Sequence, residues 1–372
     1  MSFTKLKFTI ALLLLLPLLI SCSLSPIAAQ DRGFLDLHLE FLSEYQLPKQ
    51  EFQGTPVGGL SGITYDRRLD RFYAISDDRG DIAPARFYTL KLAINDQKLT
   101  QIDVEKVTFL QDATNQNYGV NAIDPEGIAL SPAGSVFITN EGTNQAAPSI
   151  QDYDLETGNT QQFIPIPQRY LVDSNQGIQP NLGFEALAIA ADGNTKSDPY
   201  RIFTATESAL VQDLNPDNPD QLTPIRLLHY LITDTTPPLL ISENLYQLDP
   251  APQDAIFHGL TDLVALPERG FFLSLERSYG LLGASAKIYQ ITTGTATDTS
   301  SIPSLRVLSP SFQPIRKKLV LDLETLGIKL ENLEGMSLGA RLADGNQSLI
   351  LVSDDNFSPE QTTQFLLFSI GI

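Results

Sequence analysis

The sequence predicts an all-β fold, a β-propeller of five four-stranded blades. Three observations point there. A unit of two short apolar strands recurs five times, at intervals of roughly 60 to 75 residues. The second strand of every unit ends on an acid. Two further strand-like runs lie between units, so that each repeat supplies four strands, the signature of a propeller blade.

In chain order the units begin with G-L-S-G-I-T-Y-D and R-F-Y-A-I-S-D-D, from Gly59. D-P-E-G-I-A-L-S with S-V-F-I-T-N-E-G follows from Asp124, and G-F-E-A-L-A-I-A with R-I-F-T-A-T-E-S from Gly183. The fourth is G-L-T-D-L-V-A-L with G-F-F-L-S-L-E-R, from Gly259, and the fifth N-L-E-G-M-S-L-G with S-L-I-L-V-S-D-D, from Asn332. The turn inside a unit often carries Asp-Gly or Pro, residues that break strands and favour turns. The intervening strands are read at 87–94 with 101–110, and at 286–292 with 318–323. The last unit has only one strand beyond its acid, 364–370, while a spare strand, 35–45, precedes the first. That N-terminal strand is expected to complete the final blade and close the ring, which removes exposed edges. A sixth blade would fit if 233–258 or 294–330 held a degenerate one. A sandwich, or two stacked β domains, is the competing architecture.

The 372 residues are 42% hydrophobic and 19% charged, with 24 Gly, 24 Pro and no Trp, a mix suited to short strands and turns. The formal charge of −19 argues against nucleic acid, whose phosphates need a basic footprint. Divalent cations, or ligands carried by them, suit it better. At the N-terminus Lys5 and Lys7 precede an apolar run, 8–20, too short and too early for a membrane span. The run ends in L-I-S-C at Cys22. This resembles a bacterial lipobox, and it divides the chain into a signal peptide (1–21), a tether (22–33) and the propeller (34–372). An ordinary secretory signal with an incidental cysteine is the alternative. Cys22 is the only cysteine, so no internal disulfide is possible, and acylation gives it a role. The expectation is an exported monomer, anchored to a bacterial membrane by lipid alone and facing the periplasm or exterior. Without Lys5 and Lys7 the mature chain keeps 23 basic and 44 acidic side chains, a charge of −21.

In a propeller, equivalent strand positions lie on one ring about the axis. The acids after Ser76 and Ser353 (Ser-Asp-Asp in both cases) would then face one end of the same channel. The plainer alternative is that they are solvated strand ends.

The segments G-G-L-S-G-I, Y-A-I-S-D-D-R-G, A-R-F-Y-T-L, D-P-E-G-I-A-L and I-T-N-E-G, then N-L-G-F-E-A-L-A-I, A-T-E-S, N-L-E-G-M-S-L and L-V-S-D-D-N-F, span nearly the whole mature chain. Their order and number resemble the phytase-like family, labelled for the esterase-like activity of phytase. The resemblance implies a propeller in secreted or membrane-anchored bacterial proteins. Through similarity to propeller phytases, it also points to calcium-dependent phosphomonoester hydrolysis at an acid-lined channel mouth.

Facing carboxylates raise one another's pKa and need a counter-charge. Calcium, which takes six to eight oxygen ligands, is a natural one. Candidate ligands are Asp77, Asp78, Glu126, Glu141, Glu185, Asp262, Glu334, Asp354 and Asp355, with Glu126, Glu185, Asp262 and Glu334 expected in one register beside Ser61. Arg79, Arg86 and Arg277 would bind a phosphorylated substrate, or else simply neutralise the acids. In metal-assisted hydrolysis a carboxylate such as Glu207 or Glu276 would take the attacking water's proton. A non-catalytic propeller binding some other ligand or a protein at the acidic face stands beside this reading. There is no G-x-S-x-G elbow, P-loop or dinucleotide fingerprint. His38, His229 and His258 are scattered, which leaves serine-triad and zinc chemistry without their residues.

Overall fold

A computed structural model describes residues 33–371 except 194, 219 and 220. The signal peptide, Cys22 and nearly all of the tether lie outside the described residues. Asp36–Ile372 forms one compact unit.

The chain opens with strand β1 (His38–Leu47) and a small hairpin, β2 (Gln50–Phe52) and β3 (Thr55–Val57). The first blade is β4 (Leu60–Asp66), β5 (Arg71–Ser76), β6 (Arg86–Asn95) and β7 (Lys98–Phe109). The second is β8 (Pro125–Leu130), β9 (Ser135–Asn140), β10 (Ser149–Asp154) and β11 (Thr160–Ile164). The third is β12 (Phe184–Ala191), β13 (Tyr200–Thr206), β14 (Pro224–Ile232) and β15 (Leu239–Gln247). The fourth is β16 (Ala255–Ala265), β17 (Phe271–Gly280), β18 (Gly283–Thr292) and β19 (Arg316–Asp322). The fifth joins β20 (Asn332–Arg341), β21 (Gln347–Asp354) and β22 (Thr363–Gly371) to β1.

The expected closure is therefore present. Strand β1 runs antiparallel to β22, from His38 opposite Gly371 to Leu47 opposite Thr363, with a register shift between Phe41 and Ser43. The first strands of successive blades touch around the ring, β4 to β8, β12, β16, β20 and back to β4. The two intervals open to a sixth blade instead supply β15, the start of β16, and β19 with a long loop before it.

Sequence pattern and position in the blade agree. Strand β7, at the outer edge, reads K-L-T-Q-I-D-V-E-K-V-T-F and largely alternates between exposed and buried positions, as a half-solvated strand should. Strand β21, Q-S-L-I-L-V-S-D, lies between neighbours and is buried on both faces. The hydrophobic core is divided among the blade interfaces. Leu60, Tyr88, Val352 and Phe365 pack the junction of the first and fifth blades; Ile75, Phe87, Ile138 and Tyr153 pack that of the first and second. Each such side chain contributes about 1.5–3 kcal/mol through its burial.

Candidate functional site

The β4–β5 pairing and its equivalents fix two rings of side chains at one end of the axis. The backbone N–H of Asp77 donates to Gly59 O (2.6 Å), that of Glu141 to Asp124 O (2.9 Å), and that of Glu207 to Gly183 O (2.7 Å). Arg277 stands opposite Gly259, and Asp354 opposite Asn332. The residues facing the first residue of each unit are thus Asp77, Glu141, Glu207, Arg277 and Asp354. Two residues after each unit's first residue, a second ring reads Ser61, Glu126, Glu185, Thr261 and Glu334. All of the acids and the arginine in these rings line one cavity of about 340 Å³, together with Arg79, Asn181, Asn332 and Tyr279.

The opening glycines of the units follow from this geometry. A Cβ on Gly183 would lie 2.4 Å from Glu141 Cγ, and one on Gly259 would lie 2.1 Å from Glu207 Cγ. The acid ending one blade lies across the first residue of the next, where only glycine fits. The second blade opens instead on Asp124, and Asp77, Asp124 and Glu126 each bring one oxygen within 4.8 Å of the others.

Seven carboxylates line the mouth against two arginines, and both arginines are engaged. Arg79 donates from Nε to Asp124 (2.8 Å) and from Nη2 to Asn181 (3.1 Å), with Glu141 at 3.9 Å. Arg277 donates to Glu334 (2.7 Å) and stands 3.5 Å from Glu207. Burial, then the neighbouring carboxylates, holds the pKa values of Asp77, Glu126 and Asp354 well above the usual range. Glu185 is held there chiefly by burial and the charge of Glu207. Glu141 is pushed up to about 8, mainly by burial. Burial works against the charge of Arg277, but Glu334, Glu207 and Glu185 outweigh it and raise its pKa. Among the described residues, buried atoms Asp124 Oδ2, Glu185 Oε2, Glu207 Oε1 and Asn332 Oδ1 accept no hydrogen bond. Oxygens crowded, buried and without donors are the donor set that a hard divalent cation takes.

Residues 55–357 match the family model described as "Phytase-like: Esterase-like activity of phytase". The chain belongs to the phytase-like family. No curated relative matches this phytase-like chain in sequence. Among solved structures it is similar to the catalytic domain of the Coprinopsis cinerea GH62 alpha-L-arabinofuranosidase (10% identity, 90% of this chain and 97% of that one, TM-score 0.46). It is also similar to the Neurospora crassa Pan2 WD40 domain (8% identity, 89% and 95%, TM-score 0.34).

Five of the candidate residues of this phytase-like protein lie away from the mouth. Asp78 is buried beneath it: Arg86 donates to it (2.7 Å), as do the N–H groups of Gly80, Ile82 and Ala83. Burial opposes its ionisation, but these donors outweigh that and lower its pKa. Arg86 is wholly buried and also donates to Tyr88 (2.7 Å) and Pro56 O (3.1 Å), which makes it a pin for the first blade. Asp355 accepts from Gly59 N (2.8 Å), Phe357 N (3.1 Å) and Lys49. Glu276 accepts from Tyr246 (2.6 Å), Asp249 N (3.2 Å) and Lys317. Asp262 stands one residue later than Glu126, Glu185 and Glu334, beyond a register shift between Leu260 and Asp262. Its carboxylate accepts from Met336 N and Leu263 N, both at 2.7 Å, bridging the fourth and fifth blades. The expected single register therefore fails in the fourth blade, where Thr261 holds the place of the acid.

Asp124, fully buried and outside the cavity lining, joins Asp77 and Glu126 and accepts from Arg79, although its sequence position did not mark it as a ligand. Its one signal was alignment with Asn332, the other polar residue to open a unit.

Proposed function

We propose that this protein is a divalent-cation-dependent phosphomonoesterase, with calcium held at the mouth of the propeller. The observation that carries the reading is the charge of the mouth: seven acids facing two arginines already paired to acids. Asp77, Asp124 and Glu126 would hold one ion. Glu185, Glu334 and Asp354, which line the same cavity, would offer further ligands. When bound, calcium supplies charge neutralisation for the phosphate and a Lewis acid beside it. The chain's own residues do the rest. Arg79, about one third exposed and at the rim, orients an anionic oxygen through its planar fork. Glu207 combines a raised pKa with a buried Oε1 that accepts no hydrogen bond, which suits it to accept a proton from a water in the cavity. Arg277, 3.5 Å away, stabilises its charged form.

A second reading has an observation of its own. Both arginines are bound to neighbouring carboxylates, so the mouth offers few free donors to an anion. A propeller that binds cations, and through them a ligand or protein without turnover, fits that fact.

Phosphate release from a panel of phosphomonoesters, with calcium and with chelator, tests the proposal. Calcium-dependent release that falls about 10²- to 10⁴-fold in Glu207→Gln supports the enzyme. Calcium raising the melting temperature with no release supports the binding propeller. No effect of calcium on either would sink both.

A further inference from the structure

Next to the mouth lies a larger cleft of about 660 Å³, within the range that encloses a small organic ligand. Its walls are residues 141–148, which link β9 to β10, and residues 171–181, which lead into β12. The two cavities share Arg79, Glu141 and Asn181, so they adjoin at the Arg79–Asn181 hydrogen bond. The first wall is built rather than loose. Thr143 donates to Asn121 O (2.7 Å) and its N–H to Ala146 O (2.9 Å), while Asn140 donates to Ala147 O (3.0 Å).

The chemistry changes at that junction. Apart from Arg79 and Glu141, the lining of the cleft has no charged side chain. Leu171, Val172 and Pro148 offer apolar surface, and Asn144, Gln145 and Gln179 offer amides. Amides match hydroxyls and carbonyls, whereas phosphates need cations or cationic side chains. A ligand with phosphates all around it would place several of them against this neutral wall and lose their solvation.

The geometry points to this cleft as the subsite for the organic half of the ester: an uncharged, hydroxyl-bearing group of sugar or nucleoside size, its single phosphate on the mouth side of Arg79. The assignment rests on the phosphomonoesterase reading for the identity of the charged end. It adds a substrate class, monophosphate esters of neutral polyols, and disfavours polyphosphorylated ones.

Calorimetric titration of the calcium-loaded protein with glucose 1-phosphate, inorganic phosphate and inositol hexakisphosphate tests it. Glucose 1-phosphate should bind at least about tenfold more tightly than inorganic phosphate, through the added contacts of the sugar. Ala147→Trp, which fills the cleft, and Val172→Asp, which charges it, should each bring that ratio close to one; melting curves will show that both variants fold. Equal binding of the two ligands by the unaltered protein, a ratio that survives both variants, or no binding of either would overturn the subsite. Tighter binding of inositol hexakisphosphate than of glucose 1-phosphate would overturn it too. Phosphate release in the same samples separates the two readings. A preserved ratio without release keeps the subsite and removes the phosphoesterase. Release with a ratio of one does the reverse.

Discussion

Two buried clusters of acids and arginines in this molecule have opposite electrostatic fates. One is built on the third blade. There Arg226, fully buried, grips Asp213 with two bonds (2.6 and 2.9 Å) and also donates to Glu243. Glu243 further accepts from Tyr170 (3.2 Å) and Arg169 (3.4 Å), while Leu305 N donates to Asp213 (2.6 Å). Two acids meet two arginines, every carboxylate oxygen is bonded, and the long loop before β19 is held in place through the carbonyls of Thr299 and Ile302. The other cluster is the mouth, where acids outnumber arginines and buried oxygens lack donors. The residue types are alike and so is the burial. Charge balance is what separates them: the first is a structural pin, and the second leaves buried carboxylate oxygens without a counter-charge.

The largest expected effect is at the balanced cluster. Arg226→Met strands two buried carboxylates and should cost about 3–5 kcal/mol in chemical denaturation. A loss well under 1 kcal/mol would erase the distinction. Next comes a pair of matched substitutions with opposite signs. Asp213→Asn should destabilise the protein, whereas Glu185→Gln in chelator at neutral pH should stabilise it by on the order of 1 kcal/mol, because it removes a buried carboxyl whose raised pKa costs stability there. Under the proposed calcium binding, Glu185→Gln should also shrink the expected calcium-induced rise in melting temperature. If both substitutions destabilise equally in chelator, the mouth is compensated in some other way.

The smallest effect concerns a solitary buried acid, Asp152 in β10, whose Oδ1 has no hydrogen-bond partner among the described residues. Burial pushes its pKa up to about 6. Because the folded value is raised, stability from this group is full below the ordinary carboxylate pKa of about 4 and is lost as pH rises toward 6. Asp152→Asn should flatten that part of the stability–pH curve, gaining on the order of 1 kcal/mol above pH 6. Calcium should make no difference, since one acid alone does not hold the ion. A calcium-dependent gain would mean that isolated acids and clustered ones are not distinct after all.

The number of blades and the closing strand were legible because both depend on the count and order of apolar runs. The partition of the acids was not, for a reason set by the pleat. Successive residues of a strand face opposite sides, so in Ser-Asp-Asp the first acid faces the mouth and the second faces away. Asp77 and Asp354 line the cavity while Asp78 and Asp355 bind backbone and basic groups behind it. In the fourth blade the same rule places Arg277 in the ring and turns Glu276 toward Tyr246. An offset of one residue, which the count and order of apolar runs do not encode, decides which acid lines the mouth. The β2–β3 hairpin and the cleft walls were not legible either. They depend on loop contacts, such as Thr143 with Asn121, that no periodicity encodes.

The pairing of β1 with β22 has a consequence in time. During synthesis the first blade's half of the mouth, with Asp77, leaves the ribosome long before Asp354. The strand that locks the fifth blade has been waiting since the beginning, but its partner is the last to be made. Asp77, Asp124 and Glu126 come from the first two blades, but Glu334 and Asp354 join the ring only when the two ends of the chain meet. Closure of the ring is therefore also the moment at which the full set of acids first crowds together, and under the proposed cation binding an ion present then would act as the final folding partner.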